Sequence, residues 1–314
     1  MNVTLEHMRP EDIEALVAVQ KAAFAPLYER YQDEASPYLR GAQEMRNWLM
    51  HRQVRCWKIL EDGVLCGGVT VFLRPGGEYY LARLFVHPDR QGRGVAAEAL
   101  RLCELKYPEA RRWTLDFPVD QPANRRCYEK AGYRDTGVRI EKNERLTLVM
   151  YEKWCADIRP LRRDELADAN RVLREGFADV AVRFGLTEEN CPTNGAFHRV
   201  EWLEADCDAG RTMFGLFFDG TLVGVMQLVQ KSEEEVKLKM LTVLPAYRRR
   251  GFGERLIDHA KSAARAGGAR VLTLGMIEEN TELKAWYASL GFVHTGKHHF
   301  DGAPFTAGYM ECRL

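Results

Sequence analysis

The sequence predicts an α/β protein built as two tandem copies of one domain. Three observations predict it. Residues 86–96, VHPDRQGRGVA, return as residues 243–253, VLPAYRRRGFG, each with a valine, a proline two places on and a spaced pair of small residues. Alternating apolar runs and segments of helical apolar spacing follow one another in the same order in both halves. A length of 314 residues also suits two domains of about 150 residues better than one compact core.

Each element can be matched across the halves. MRPEDIEALVAVQKAAFA (8–25) pairs with LRRDELADANRVLREGFA (161–178), an extended lead-in, an acidic first turn and then a helix, with Phe24 and Phe177 in the same place. EDGVLCGGVTVFL (61–73) pairs with FDGTLVGVMQLV (218–229), where Asp62-Gly63 and Asp219-Gly220 are hairpin turns leading into strands. YYLARLFVHP (79–88) and VKLKMLTVLP (236–245) are strands stopped by Pro88 and Pro245, because proline supplies no ladder donor. A small-residue turn, a helix, the strands WTLDF (113–117) and VLTLGM (271–276), and a helix ending CYEKAGY or WYASLGF complete each copy. The boundary falls in YEKWCADIRP, giving an N-terminal domain of residues 1–154 and a C-terminal domain of 155–314.

Composition excludes several classes. Lys plus Arg (45) equals Asp plus Glu (45), so no net field draws the chain to nucleic acid or anionic lipid. The longest apolar run, VLCGGVTVFL at 64–73, falls far short of the roughly 20 residues of a membrane span. MNVTLEHMRPED lacks the apolar segment of a signal peptide, so a cytoplasmic location is expected. The eight cysteines form no C-x-x-C pair, which argues against a disulfide framework and against a zinc site. His294, His298 and His299 lie on C-terminal strands whose alternation parts the adjacent pair, so no metal is expected.

The repeated turn carries the chemistry. A strand ends at a proline, the chain turns through Gly92 and Gly94 or through Gly251 and Gly253, and a helix begins with unpaired N–H groups and the positive end of its dipole. Residues without a Cβ let phosphate oxygens reach the backbone, and Arg90, Arg93, Arg248, Arg249 and Arg250 add charge where an anion would sit. A diphosphate-bearing cofactor is implied. A dinucleotide fingerprint, G-x-G-x-x-A through Gly92, Gly94 and Ala97, is the competing reading; it fails in the second copy at Leu256 and follows too many strands.

Q/R-x-x-G-x-G/A after a V-x-P strand end resembles the acyl-CoA signature of the GNAT superfamily of N-acetyltransferases. Gln91, Gly92, Arg93, Gly94, Val95 and Ala96 match it in the first copy; Arg248, Arg249, Arg250, Gly251, Phe252 and Gly253 match it in the second. The resemblance implies two GNAT domains, each a mixed, largely antiparallel sheet flanked by helices, with acetyl-CoA as co-substrate. It implies that Leu84, Phe85 and Val86, or Leu241, Thr242 and Val243, lie along the pantetheine arm. It implies direct attack of a primary amine on the thioester, with Tyr128 and Tyr287 as acids for the departing thiolate. Asn280 matches the family's asparagine seven residues before that tyrosine; Gln121 replaces it in the first copy.

The acceptor side differs between the copies. Glu78 and Glu235 are weak candidates for a base, while Tyr80 and Lys237 stand at matching positions two residues further in. Aromatics in the first helix pair, Tyr28, Tyr31 and Tyr38 or Phe184, Phe197 and Trp202, are candidates for acceptor walls. The expected function is acetylation of a primary amine on a small molecule, less readily a protein. The alternative is that one or both domains bind acyl-CoA without turnover, as sensor or scaffold. The sequence leaves the acceptor and the oligomeric state open.

Overall fold

The computed structural model describes residues 2–314. The chain divides into two compact units, one ending at Cys155 and one beginning at Ala156. The first unit runs β1 (Val3–His7), α1 (Ile13–Tyr31), α2 (Ala42–Met50), β2 (Val54–Glu61), β3 (Val64–Arg74), β4 (Glu78–Val86), α3 (Val95–Leu105), β5 (Arg112–Pro118), α4 (Pro122–Lys130), β6 (Arg134–Asn143) and β7 (Leu146–Trp154). The second runs β8 (Asp157–Pro160), α5 (Leu166–Arg183), α6 (Val200–Asp208), β9 (Met213–Phe218), β10 (Thr221–Gln230), β11 (Glu235–Val243), α7 (Phe252–Ala266), β12 (Val271–Ile277), α8 (Thr281–Ser289), β13 (Val293–His299) and β14 (Thr306–Arg313).

Both sheets have seven strands in one order, β1-β2-β3-β4-β5-β7-β6 and β8-β9-β10-β11-β12-β14-β13. Every neighbouring pair is antiparallel except β4 with β5 and β11 with β12, which α3 and α7 join by crossover. The hairpins at Asp62-Gly63 and Asp219-Gly220 adopt positive φ at both residues (50° and 81°, 54° and 74°), the conformation a two-residue turn needs to follow strand twist.

Each sheet is covered on both faces. In the first unit Val95, Ala99, Leu100 and Cys103 form the buried stripe of α3 and pack with Ile59, Val71, Trp113 and Leu115. On the other face Ile13, Leu16 and Met45 from α1 and α2 meet Phe85. The second unit repeats the α3 stripe as Phe252, Leu256, Ile257, Ala260 and Ala264 of α7. Each large side chain so buried contributes about 1.5–3 kcal/mol, which holds the helix that begins at the repeated turn firmly against the sheet.

The parallel pairs are short. β4 follows β5 only from Glu78 opposite Arg112 to Tyr80 opposite Thr114, and β11 follows β12 only from Glu235 opposite Val271 to Leu238 opposite Leu274. A bulge starts each separation. Ala82 is the extra residue between Leu81 and Arg83, and in β11 Met240 and Leu241 oppose Met226 alone, with Met240 at φ 56°. Beyond the bulges, β4 and β11 keep their antiparallel neighbours and expose their other edge to a widening cleft.

Candidate functional site

The exposed edge presents backbone groups in alternation. His87 N donates to Cys66 O (2.7 Å) and Leu244 N to Val223 O (2.9 Å), both toward the antiparallel neighbour. Successive residues of a strand turn their N–H groups to opposite edges, so Val86 and Leu84, and likewise Val243 and Leu241, face the cleft. Phe85 and Thr242 turn their amides into the sheet and their side chains toward α1 and α5: the Phe85 ring fills the space above Gly68, and Thr242 Oγ1 lies 2.2 Å from where a Cβ on Gly176 would stand.

The turn that follows is braced from its own first motif residue. Gln91 Nε2 donates to Val86 O (2.8 Å), and Arg248 Nε donates to Val243 O (3.0 Å). Arg248 also donates to Gly176 O (2.7 Å) and pairs with Asp179 of α5. Arg248 therefore does not stand ready for an anion, contrary to the sequence expectation; its donors are occupied in tying loop, strand and α5 together.

A second correction concerns the glycines. The left-handed positions are Gly92 (φ 71°) and Gly94 (φ 88°) in the first unit, and Arg249 (φ 63°) and Gly251 (φ 81°) in the second. Gly253 lies inside α7, at the place of Ala96 in α3, where an added Cβ would come 3.2 Å from the Trp286 ring. Gly94 and Gly251 cap α3 and α7 with no side-chain acceptor, so the helix starts at Val95 and Phe252 present backbone amides at the turn. The motif residues Arg93, Val95, Ala96, Arg250 and Phe252 lie in or beside that helix start in each unit.

The two loops are mounted differently. In the first unit Glu61, whose side chain is fully buried at the hairpin, pairs with Arg90 (2.6 Å) and Arg93 (3.5 Å). In the second unit Phe218 takes the hairpin position, and Tyr247 and Phe252 pack on it (6.0 and 5.5 Å) with the Arg250 guanidinium over both Phe218 and Tyr247. Arg90 and Arg93 thus answer a buried carboxylate that the sequence reading overlooked, although the unlike residues at 61 and 218 inside otherwise matched hairpins signal it.

Tyr128 and Tyr287 sit in matching places on α4 and α8. Tyr128 packs against Phe117 (5.3 Å) and Tyr133 (5.9 Å), and Tyr287 against Phe292 (5.6 Å). Burial pushes both phenols above their ordinary 10, so both keep their proton at neutral pH. Neither hydroxyl has a hydrogen-bond partner among the described residues, and neither is sealed from solvent. Asn280 caps α8 by accepting from Leu283 N (3.2 Å). Gln121 holds the same cap position on α4, but its longer amide instead donates to Tyr31 Oη (2.7 Å), whose hydroxyl donates to Asp120.

Glu78 and Glu235 stand where the parallel strands are still paired. Glu78 pairs with Arg112 (3.3 Å) and Glu235 accepts from Thr273 Oγ1 (2.9 Å). Tyr80 donates to Asp116 Oδ2 (2.7 Å), whereas in the second unit Lys237 and Gly275 hold those two places. Tyr28 and Tyr38 stack at 5.0 Å, and His294 bonds Glu278 (3.0 Å). No group of three His, Cys, Asp or Glu side chains among the described residues could hold a metal, and none of their helices is long and apolar enough to cross a membrane. A cavity of about 460 Å³ in the first unit is lined by His7, Met8 and Leu49.

The sequence model of the Acetyltransferase (GNAT) family matches residues 16–133 and again 184–292. The chain belongs to the GNAT acetyltransferase family, as two tandem domains. Acetyl-CoA is accordingly its co-substrate, and the dinucleotide reading falls. An uncharacterized N-acetyltransferase of Mycobacterium tuberculosis is 29% identical over 34% of this chain and 69% of its own length. Another, from Lactobacillus delbrueckii subsp. lactis, is 26% identical over 43% of this chain and 83% of its own. Among solved structures, the ribosomal-protein-S18-alanine N-acetyltransferase of Escherichia coli is similar with a TM-score of 0.42 and 19% identity, covering 51% of this acetyltransferase and 94% of that chain. The PaiA N-acetyltransferase of Thermoplasma acidophilum, in complex with coenzyme A, has a TM-score of 0.43 and 20% identity over 51% of this chain and 99% of that one.

Proposed function

We propose that this acetyltransferase moves the acetyl group of acetyl-CoA directly to the primary amine of a small molecule. One observation carries the reading: in each unit a strand edge with cleft-facing amides runs into an uncapped helix start, and a protonated, unpartnered phenol stands on a neighbouring helix. The amides of Leu84 and Val86, or Leu241 and Val243, would hold the pantetheine arm. The first-turn amides of α3 or α7 would take the diphosphate, with Gly92, Gly94 and Gly251 keeping side chains out of the way. Tyr128 or Tyr287 would protonate the thiolate as the C–S bond breaks. The acceptor side of the second unit carries buried polar side chains, His198 at 4% and Gln227 at 0% exposed, which suits a small polar amine.

A second reading applies to the first unit alone. There Gln20, fully buried, donates to Pro37 O (2.8 Å) and accepts from Arg83 (2.9 Å), which also pairs with Glu44 (2.7 Å). This network fills the side of the cleft on which an amine would approach, which favours a domain that binds acetyl-CoA without transferring from it. Calorimetry with acetyl-CoA, followed by thioester consumption over a panel of primary amines, tests both readings. Binding of acetyl-CoA without turnover on any amine would leave two binding modules and overturn the transferase assignment.

A further inference from the structure

The second unit holds, beside α6, two buried polar side chains with unmet hydrogen-bonding capacity. His198 precedes α6 and is 4% exposed; its Nδ1 has no hydrogen-bond partner. Gln227 of β10 is 0% exposed; its Nε2 donates to Asp206 Oδ2 (2.6 Å), which fixes the amide so that Oε1 is the free end, and that oxygen also has no partner. Asp206 is held in turn by Arg211 (2.5 Å). Gln227 lies opposite Lys239, the residue just before the bulge where β11 leaves β12. Asp206 is the common neighbour, binding Gln227 and acting on His198, and buried unpartnered polar atoms cost roughly 1–3 kcal/mol each unless something else meets them.

The local backbone is built to hold this arrangement. Gly195, three residues before His198, lies on the Phe177 ring, where a Cβ would come within 2.4 Å. The neighbouring Gly176 lets α5 touch Thr242 of β11 and supplies the carbonyl that Arg248 binds. One stretch of α5 therefore fixes the helix-start loop, the cleft strand and the His198 segment relative to one another. Trp202 of α6, 38% exposed, meets the His198 ring edge to face at 5.1 Å and can cover the body of a ligand.

We infer that His198 is the proton acceptor of the second unit and that Gln227 Oε1 holds the acceptor's amine, so that transfer takes place in this unit and not in the first. The inference rests on the acetyl-CoA reading above. The acceptor is a primary amine that arrives as its ammonium form, with a slender apolar stem beside Trp202. One N–H proton passes to His198 Nδ1 while another N–H donates to Gln227 Oε1. The freed lone pair attacks the thioester carbon, the C–N bond forms, the C–S bond breaks and the thiolate takes the Tyr287 proton. The excess proton of the new amide returns through water to Tyr287 and His198 releases its own to solvent, so the net products are the N-acetyl amine, CoA thiol and one proton. Burial keeps His198 below its ordinary 6.5, offset in part by the Arg199 backbone and Asp206, while Lys239 lowers it further; the imidazole is neutral, as a base must be. Asp206 from α6 and Lys239 from β11 are the charged groups acting on it.

The test uses the full chain with acetyl-CoA, and phenethylamine, L-alaninamide, spermidine and hydroxylamine as probes. In wild-type protein with ¹⁵N-labelled histidine, at least one amine shifts the His198 ring signals; if none does, the assignment is overturned. For an amine that does, His198→Gln lowers kcat by about 100-fold or more, the range of general-base removal. With hydroxylamine, largely unprotonated at neutral pH, the same variant keeps close to the wild-type rate, which a merely structural loss would not allow. Equal losses on both probes overturn the base assignment. Unchanged acetyl-CoA affinity in His198→Gln keeps this outcome separate from failure of the acetyl-CoA reading, which would appear as no binding in the wild type.

Discussion

Arg248 donates from Nε to the carbonyl of Val243 at 3.0 Å, reaching back over the turn to the last residue of its strand. Gln91 does the same to Val86. A residue five places along the chain thus clamps the turn shut, and its amide or guanidinium serves the protein's backbone in place of a ligand. Replacing Gln91 by Ala removes one hydrogen bond, about 1 kcal/mol, and should weaken acetyl-CoA binding to the first unit by roughly fivefold. Arg248→Ala loses three partners and should weaken the second unit more. Calorimetric titration distinguishes the two sites; a larger effect from Gln91→Ala would contradict the bracing role.

The left-handed caps give a sharper test of the helix starts. Gly94→Val and Gly251→Val each force a β-branched residue to positive φ, a cost of about 1–2 kcal/mol that the loop relieves by moving. Each variant should lose one of two acetyl-CoA equivalents. Two full equivalents in both would rule out the loops as the diphosphate site.

Removing the phenol proton donors should separate binding from chemistry. Tyr287→Phe keeps the packing against Phe292 and should lower kcat about 100-fold, the lower end for a general acid, with acetyl-CoA affinity unchanged. Because burial raises the phenol above its ordinary 10, the wild-type rate should show no alkaline fall up to that pH. Tyr128→Phe should leave transfer unchanged if the first unit only binds.

Glu61 tests the stability of the first unit alone. Glu61→Gln leaves Arg90 and Arg93 facing a neutral amide and should cost about 3 kcal/mol, the low end for breaking a buried pair, because both guanidiniums reach water. Urea unfolding followed by a probe in the first unit measures it. A change within 0.5 kcal/mol, the size expected of an ordinary surface substitution, would show that the pair is not a mount.

Acid should weaken the second unit through Glu165. Its hydrogen bond from Arg159 holds its carboxyl down from 4.5 to about 2. A depressed folded-state value means stability that is fully present above 4.5 and lost as pH falls from there toward 2. Melting temperatures across that window should fall less steeply in Glu165→Gln than in the wild type.

The sequence by itself determined the duplication, the family and the order of elements, because these rest on local signals: an Asp-Gly turn, a proline that ends a strand, a helical stripe such as Phe252, Leu256, Ile257 and Ala260. The spacing also put Tyr128 and Tyr287 at matching positions of α4 and α8, since a spaced motif travels with its helix. Tertiary structure alone decided what each polar residue does. Arg248 reads as a phosphate ligand until Asp179, Gly176 and Val243 are seen to occupy it, and Gly253 reads as a turn until α7 includes it. His198, Gln227 and Asp206 are distant in sequence and carry no shared pattern; they become a site because α5 and α6 fold over β10 and bury them together. Hydrogen-bond partners and burial depend on residues far apart in the chain, and no local spacing records them.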